Sequence, residues 1–385
     1  MTKAEKRTLL LVDDDSENLR IVNSILGDDY RIRVATNGLK ALELAKVEPS
    51  PRLILLDVIM PYMDGYEVCS QLKADPKTRD IPVIFLTGKT DVADETRGFQ
   101  VGAVDYIHKP FSPPIVAARV RTHLMLRDAH QTVAQQLLIM NSELEMARQV
   151  QLSILPRDLP HLCGLEIAAR YLPMSSVAGD FYDFLVVDEK HIAILIADVS
   201  GHGLPSALIA SMLQTAFASQ LAWASDPVRV LSGLNQALHG KFERHFVTAA
   251  YVFVDIDKGM MIYAGAGHPP LLLWQSATQR VVQCEQNGLL LGPFADAEYS
   301  AAVFTLQMGD RILLFTDGIV ETKNPSGVEF GTDRLRQALE AKHDLPANRF
   351  VDTLLYSLSN WSEQAIGPCQ SDDITLLAID FTANC

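Results

Sequence analysis

From Thr8 to about Leu126, short apolar runs alternate with amphipathic stretches. TLLLV, RIRVA, LILLDV, IPVIFLT and VDYIHK read as strands, and SENLRIVNSIL, GLKALELAKV, GYEVCSQLK and ADETRGFQV as the helices between them. Strand and helix in alternation predict a parallel sheet covered on both faces, with its site at the carboxyl ends of the strands. Asp13, Asp14, Asp57, Thr87 and Lys109 all fall at or just after apolar runs, so one edge of that sheet collects them.

The pattern then becomes helical from Pro114 to Leu155 and ends at Pro156. Leu126, His130, Val133, Leu137, Met140, Leu144, Ala147, Gln151 and Ile154 follow a 4,3 spacing, a heptad seam interrupted by two polar residues. A parallel coiled coil joining two protomers is the expectation; a helix packed on its own domains is the competing one. From about Leu165 the runs IAARYLP, DFLVVD, HIAILIADVS, TAAYVFVDID, GMMIYAGAG, LLLWQS, RILLFTDG and ITLLAIDF read as strands. Several are joined by turn-like segments such as VDIDKGM, which predicts antiparallel pairing. Helical stretches fall at LPSALIASMLQTAFASQLAW, DPVRVLSGLNQALHGKF, GTDRLRQALEAK and ANRFVDTLLYSLSNW. Two antiparallel sheets flanked by helices would bury these runs.

Composition narrows the function classes. The 385 residues leave room for two or three domains, and a hydrophobic content of 48% with 21% charged residues is that of a globular chain. A formal charge of -14 argues against binding nucleic acid through a broad basic face. Five widely spaced cysteines without a CxxC pair argue against structural zinc and a disulfide framework. No run reaches the roughly 18 apolar residues of a membrane span, and the N-terminus has no secretory pattern, so a soluble, cytoplasmic protein is expected.

Phosphoryl transfer to a carboxylate requires a nucleophile, a cation and a fixed positive group. Asp57 suits the nucleophile, Asp13 and Asp14 (with Asp57) the Mg²⁺ ligands, Lys109 the phosphate partner and Thr87 the hydroxyl that engages the new phosphoryl group. Tyr106 would then repack, a small two-state change. LLLVDDD, LLDVIMPYMDG, FLTG and YIHKPF resemble, in order and spacing, the signature of two-component response-regulator receiver domains over residues 5–126. The resemblance implies a flavodoxin-like doubly wound fold, Asp57 as phosphoacceptor, Thr87, Tyr106 and Lys109 as switch residues, and a histidine kinase or phosphotransfer protein as donor.

A second acidic set lies downstream: Asp180 in AGDFYD, Asp198 in ADVSGHG, Asp317 in FTDGIVE and Asp372 in SDDITLLAID. Carboxylates at strand ends can hold two hard cations that activate a water against a phosphomonoester, and oxygen ligands favour Mg²⁺ or Mn²⁺. Asp198 is expected to bridge, with the Val199 carbonyl beside it; Asp317 and Asp372 complete one metal and Asp180 serves the other. Asp183 and Asp373 are weaker choices, Asp373 expected to face away. His202 is expected to shape its turn or contact an anion, His268 to be structural, and Arg170 to form a surface salt bridge. Arg334 is only a candidate phosphate contact.

SSVAGDFYD, IADVSGHGLPSAL, GAGHPP, GLLLG, LLFTDGIVE, FGTDRL and SDDITLLAI resemble PPM-type serine/threonine phosphatases, nearest the bacterial SpoIIE/RsbU-like branch. MARQVQLSILP resembles that branch's switch-helix entry through Ala147, Gln151, Leu155 and Pro156. The resemblance implies a phosphoserine or phosphothreonine substrate, on a STAS-fold anti-sigma-factor antagonist. The architecture expected is therefore a receiver (5–126), a helical linker (127–156) and a phosphatase α+β sandwich (157–383). Its expected activity is metal-dependent protein dephosphorylation controlled at Asp57, with Mg²⁺ in the receiver and two Mn²⁺ or Mg²⁺ in the phosphatase, in a homodimer. The alternative is a phosphorylation-gated adaptor whose phosphatase-like domain binds without hydrolysis.

Overall fold

The structure, a computed structural model, describes residues 6–88, 92–175, 177–285, 287–363 and 372–382. It divides into two compact units, Met1–Ile139 and Met140–Cys385, the division falling inside one long helix.

In the first unit β1 (Thr8–Val12), α1 (Ser16–Leu26), β2 (Arg31–Ala35), α2 (Gly38–Ala45), β3 (Ile54–Asp57), α3 (Gly65–Ala74), β4 (Val83–Thr87), α4 (Val92–Gln100) and β5 (Asp105–His108) alternate, and α5 (Pro113–Ile154) follows. The five strands are parallel in the order β2-β1-β3-β4-β5. Successive side chains of a strand face opposite ways, so the continuous apolar runs feed two cores. Leu10, Val12, Ile54, Leu56, Val83 and Phe85 enter the core closed by α2 and α3. Leu9, Leu11, Leu55, Ile84, Leu86 and Ile107 enter the one closed by Leu19, Val22 and Leu26 of α1 and Val116, Val120 and Leu124 of α5. Asp15, Asn37 and Asp64 cap α1, α2 and α3 with their side chains, Asp64 in a reciprocal capping box with Glu67.

Midway along α5 the burial stops. Val133, Leu137, Leu138, Ile139 and Met140 are each more than half exposed, whereas Gln151 and the following Leu155 are buried in the second unit.

The second unit contains β6 (Leu165–Leu172), β7 (Phe181–Val186), β8 (His191–Val199), α6 (Leu204–Ala218), α7 (Pro227–Leu238), β9 (Val247–Asp255), β10 (Met260–Ala266), β11 (Leu271–Gln275), β12 (Arg280–Cys284), β13 (Asn287–Gly288), β14 (Ala302–Thr305), β15 (Arg311–Phe315), α8 (Asp317–Val320), α9 (Gly331–Ala341), α10 (Ala347–Ser362) and β16 (Ile374–Phe381). One sheet runs β13-β10-β9-β8-β7 with β14 also on β10; the other runs β12-β11-β15-β16-β6. Strand periodicity again divides the side chains. Leu271, Leu273, Ile312, Leu314, Leu377 and Ile379 share one core with β8 and β9, so the sheets pack on each other. Leu272, Trp274, Leu313, Phe315, Leu376 and Ala378 face the other way, under α9 and α10. The result is an α+β sandwich, α/β in class when taken with the first unit.

Some elements differ from the sequence reading. RVVQC, AVFT and the two-residue β13 are strands that hydrophobic pattern did not reveal, because they are edge strands with mostly exposed or half-exposed positions. β13 pairs parallel to β10, an exception to the antiparallel expectation. α7 ends at Leu238, short of Phe242: His239 leaves helical geometry and Gly240 adopts φ +71°. Cys69 and Cys284 are free and buried, whereas Cys163 is disulfide-bonded, which the cysteine spacing did not suggest.

Candidate active sites

The parallel sheet delivers its acidic residues to one edge. Asp13 follows β1, Asp57 ends β3, Thr87 ends β4 and Lys109 follows β5. Asp13, Asp14 and Asp57 bring carboxylate oxygens within 4.8 Å of one another. Lys109 Nζ reaches Asp13 Oδ2 at 2.9 Å and Asp57 Oδ2 at 3.0 Å. Asp13 is fixed further, accepting bonds from Asp15 N at 2.8 Å and Asn18 Nδ2 at 3.2 Å. Burial raises the Asp57 pKa, the Lys109 hydrogen bond opposes it, and Asp13 raises it again. Burial works against the Lys109 charge too, yet its pKa is raised because both carboxylates accept from it. Gly65 is required where it stands: a Cβ there would lie 2.2 Å from the Asp57 carbonyl oxygen. Thr87 is buried. Tyr106 packs edge-on to Phe99 and against Phe85, and its hydroxyl lies 1.6 Å from where a Cβ on Gly98 would sit. The Lys109–Pro110 bond is cis.

The second site forms where both sheets of the sandwich end on one side. Asp180 precedes β7, Asp198 is next to last in β8, Asp317 opens α8 and Asp372 precedes β16. Asp180 is buried, and its Oδ2 accepts from Thr316 Oγ1 at 2.8 Å and Thr375 Oγ1 at 2.6 Å. Burial raises the pKa of Asp180, with Asp198 adding to it; burial followed by Asp317 and Asp372 pushes Asp198 up to about 7. Burial and Asp372 bring Asp317 to about 6. The four carboxylates thus feel one another electrostatically, although no three of them place oxygens as close together as the receiver trio. No lysine or arginine is among the leading influences on Asp180, Asp198 or Asp317. An all-oxygen set with unbalanced negative charge fits hard divalent cations, which would restore these groups to their ionised form.

Two close backbone approaches hold the set together. A Cβ on Gly179 would lie 2.6 Å from the Val199 carbonyl oxygen, and one on Gly318 would lie 2.0 Å from the Asp373 carbonyl oxygen. Glycine at these positions therefore lets the Asp180 segment reach the end of β8, and the Asp317 turn reach the start of β16.

Several supporting residues were misjudged or missed from sequence. Asp373 does not face away: it is buried and accepts from Met174 N and Gly179 N, both at 2.7 Å, binding the approach to Asp180. Its position at the strand start suggested exposure, but two otherwise unpaired amides turn it inward. Thr316, directly before Asp317, and Thr375 had no signal beyond proximity to an acidic motif. His268 is buried, its Nδ1 accepting from Thr248 Oγ1 at 2.8 Å and its Nε2 donating to the Phe315 carbonyl at 3.1 Å. It joins the two sheets in the neutral state, burial holding its pKa down to about 3. Gln151 makes a reciprocal pair with Ala178, accepting from its N–H at 3.0 Å and donating to its carbonyl at 2.5 Å, two residues before Asp180.

The other candidates make separate contacts or none that bears on the acidic set. His202 is exposed on the turn after Asp198, and Asp183, brought to about 6 by burial, accepts from Phe184 N. Arg170 forms an ion pair with Asp352, and Arg334 lies over the Trp361 ring and donates to the Phe330 carbonyl. No described helix is long and apolar enough to cross a membrane.

Comparison with known proteins agrees with this division. Residues 9–121 match the response regulator receiver domain, and residues 188–382 match the stage II sporulation protein E (SpoIIE) family. Phosphoserine phosphatase RsbU of Bacillus subtilis is 32% identical over 256 residues, covering 66% of this chain and 75% of RsbU. Over 117 residues the chain is 50% identical to a Vibrio cholerae protein named "Probable cyclic di-GMP phosphodiesterase"; that match covers 30% of this chain and about a quarter of the other's length. The solved SiaA-PP2C domain of Pseudomonas aeruginosa matches with a TM-score of 0.57 at 25% identity, covering 64% of this chain and 98% of that domain.

Proposed function

Because the chain belongs to the SpoIIE family and carries a response-regulator receiver domain ahead of the family region, we propose that it is a protein serine/threonine phosphatase governed by phosphorylation of Asp57. The observation that carries this reading is the meeting of Asp180, Asp198, Asp317 and Asp372 at one end of the sandwich, with no lysine or arginine among the leading influences on the first three. In the receiver, Asp57 takes a phosphoryl group from a histidine kinase or phosphotransfer protein. A phosphorus–oxygen bond forms at its carboxylate as the donor's bond to phosphorus breaks. Lys109 then compensates the added charge, and Thr87 and Tyr106 report it.

In the phosphatase, Asp198, the Val199 carbonyl, Asp317, Asp372 and Asp180 would hold two Mn²⁺ or Mg²⁺. Bound there, the ions supply acidity to a water and neutralise charge on the phosphoryl oxygens. Thr316 and Thr375 orient Asp180, and Asp373 holds the backbone before it. Asp13, Asp14 and Asp57 would hold Mg²⁺ in the receiver.

RsbU, named a phosphoserine phosphatase, supports a phosphoserine protein as substrate, for which we propose a STAS-fold anti-sigma-factor antagonist. The exposed apolar positions Val133, Leu137 and Met140 support a homodimer through α5. Gln151 would carry the regulatory signal, since its pair with Ala178 links the end of α5 to Asp180.

Hydrolysis of an aryl phosphate and of a phosphoserine peptide by the full chain with Mn²⁺ tests the catalytic claim. Loss of both with EDTA and with Asp317→Ala is expected; equal turnover by wild type and Asp317→Ala would favour a non-catalytic adaptor. Unchanged turnover and oligomeric state on beryllofluoride treatment would remove the regulatory claim.

A further inference from the structure

The α7–β9 connection, read from sequence as helix as far as Phe242, is an arm tied at both ends. At its start His239 Nδ1 donates to the Gly292 carbonyl at 2.8 Å, and Asn235 Oδ1 accepts from Gly292 N at 2.8 Å. The Phe242 ring lies 2.8 Å from where a Cβ on Gly292 would stand. At its end the β8–β9 pairing, Asp198↔Thr248 and Val199↔Val247, continues one step past the strands. Ser200 N donates to the Phe246 carbonyl at 2.9 Å, Phe246 N donates to Ser200 Oγ at 2.9 Å, and His245 Nδ1 donates to the Ser200 carbonyl at 2.7 Å. The arm is thereby fixed against the turn that directly follows Asp198 and Val199.

Its charge differs from that of its surroundings. Lys241 and Arg244 are exposed, and neither is ion-paired among the described residues. With Glu243 between them the arm is net positive, two cations against one carboxylate, in a chain of net charge -14. Beside the site the arm therefore offers two exposed cations to any carboxylates that flank a bound phosphate.

We propose that the arm is the docking element for acidic residues flanking the substrate's phosphoserine, with Lys241 and Arg244 as the specificity-determining cations. The inference rests on the phosphatase reading and names its substrate class: a phosphoserine segment with carboxylates close in sequence. Arg244 directly precedes His245, whose ring is hydrogen-bonded to the Ser200 carbonyl two residues beyond Asp198. An extended peptide advances about 3.3 Å per residue, so carboxylates roughly two to four positions from the phosphoserine come within reach of these side chains.

The test uses the full chain with Mn²⁺ and two phosphoserine peptides, one with Asp or Glu at those positions and one with Ala. The wild type is expected to prefer the acidic peptide by about tenfold in kcat/KM, chiefly through KM, with the preference shrinking as salt rises. The double substitution Lys241→Glu with Arg244→Glu is expected to abolish or invert that ratio. Equal kcat/KM for the two peptides in the wild type, or a ratio unmoved by the double substitution, overturns the proposal. Aryl phosphate turnover by the wild type separates this result from failure of the phosphatase reading. If no phosphoester is hydrolysed, fluorescence anisotropy of the same peptides decides: acidic-peptide binding that the double substitution removes supports the arm, and equal binding of both peptides overturns it.

Discussion

Replacing Asp373 with alanine removes the acceptor of two amides, the buried Gly179 N and the half-buried Met174 N, each now held at 2.7 Å. Leaving a buried N–H unpaired costs about 1–3 kcal/mol and a half-buried one less, so the pair costs about 2–4 kcal/mol, with a central value near 3. For a unit of this size each kcal/mol moves the melting temperature by about 2–4 °C, which predicts a drop of about 10 °C in the transition of the phosphatase unit. The same change frees the segment that positions Asp180, so the Mn²⁺ concentration for half-maximal aryl phosphate turnover is expected to rise at least about tenfold. Asp373→Asn keeps the shape and one acceptor oxygen, and should lose about half as much stability. Scanning calorimetry of the full chain, resolving the two units, and an Mn²⁺ titration of activity provide the two readouts. A shift below about 3 °C with an unchanged Mn²⁺ requirement in Asp373→Ala would refute the reasoning, since the two amides would then not depend on this carboxylate.

Gln151→Ala removes both bonds to Ala178 and should lower turnover by about tenfold, at a stability cost of about 1–3 kcal/mol, and abolish any response to beryllofluoride; retained response would clear Gln151 of a regulatory role. Gly65→Ala forces a Cβ to 2.2 Å from the Asp57 carbonyl oxygen, so acceptance of phosphate from acetyl phosphate, followed by phosphate-binding gel shift, should be lost while aryl phosphate turnover persists. His268 is held neutral, near pKa 3, where the unfolded chain would bind a proton below about pH 6.5. Its stabilising contribution is therefore full above that pH and declines as pH falls towards 3. Relative to His268→Gln, the wild type should lose unfolding free energy between pH 7 and pH 4; parallel pH profiles of the two proteins would contradict a buried neutral imidazole.

Legibility differed between the two halves for a physical reason. In the receiver, fully buried parallel strands are written as unbroken apolar runs, and each functional residue directly follows or ends one, so Asp13, Asp57, Thr87 and Lys109 could be located before any coordinates. The central strands β8, β9, β15 and β16 were equally plain. The edge strands β12 and β14 were not, since they are short, most of their positions are exposed or half-exposed, and pairing rather than pattern makes them strands. The end of α7 was misplaced because a helical hydrophobic period continues into a segment whose backbone is turned by Gly240 and tied to Ser200 and Gly292.

By itself, the sequence determined element type wherever burial imposes a period, and it determined which carboxylates stand at strand ends. Only the tertiary structure decided which side chains support them: Thr316 and Thr375 on Asp180, Asp373 on the amides before it, His268 between the sheets and Gln151 on Ala178. These contacts join residues up to 199 positions apart. Their specificity comes from unpaired donors and acceptors meeting in a buried space, and no local pattern in the chain records which distant partner will be there.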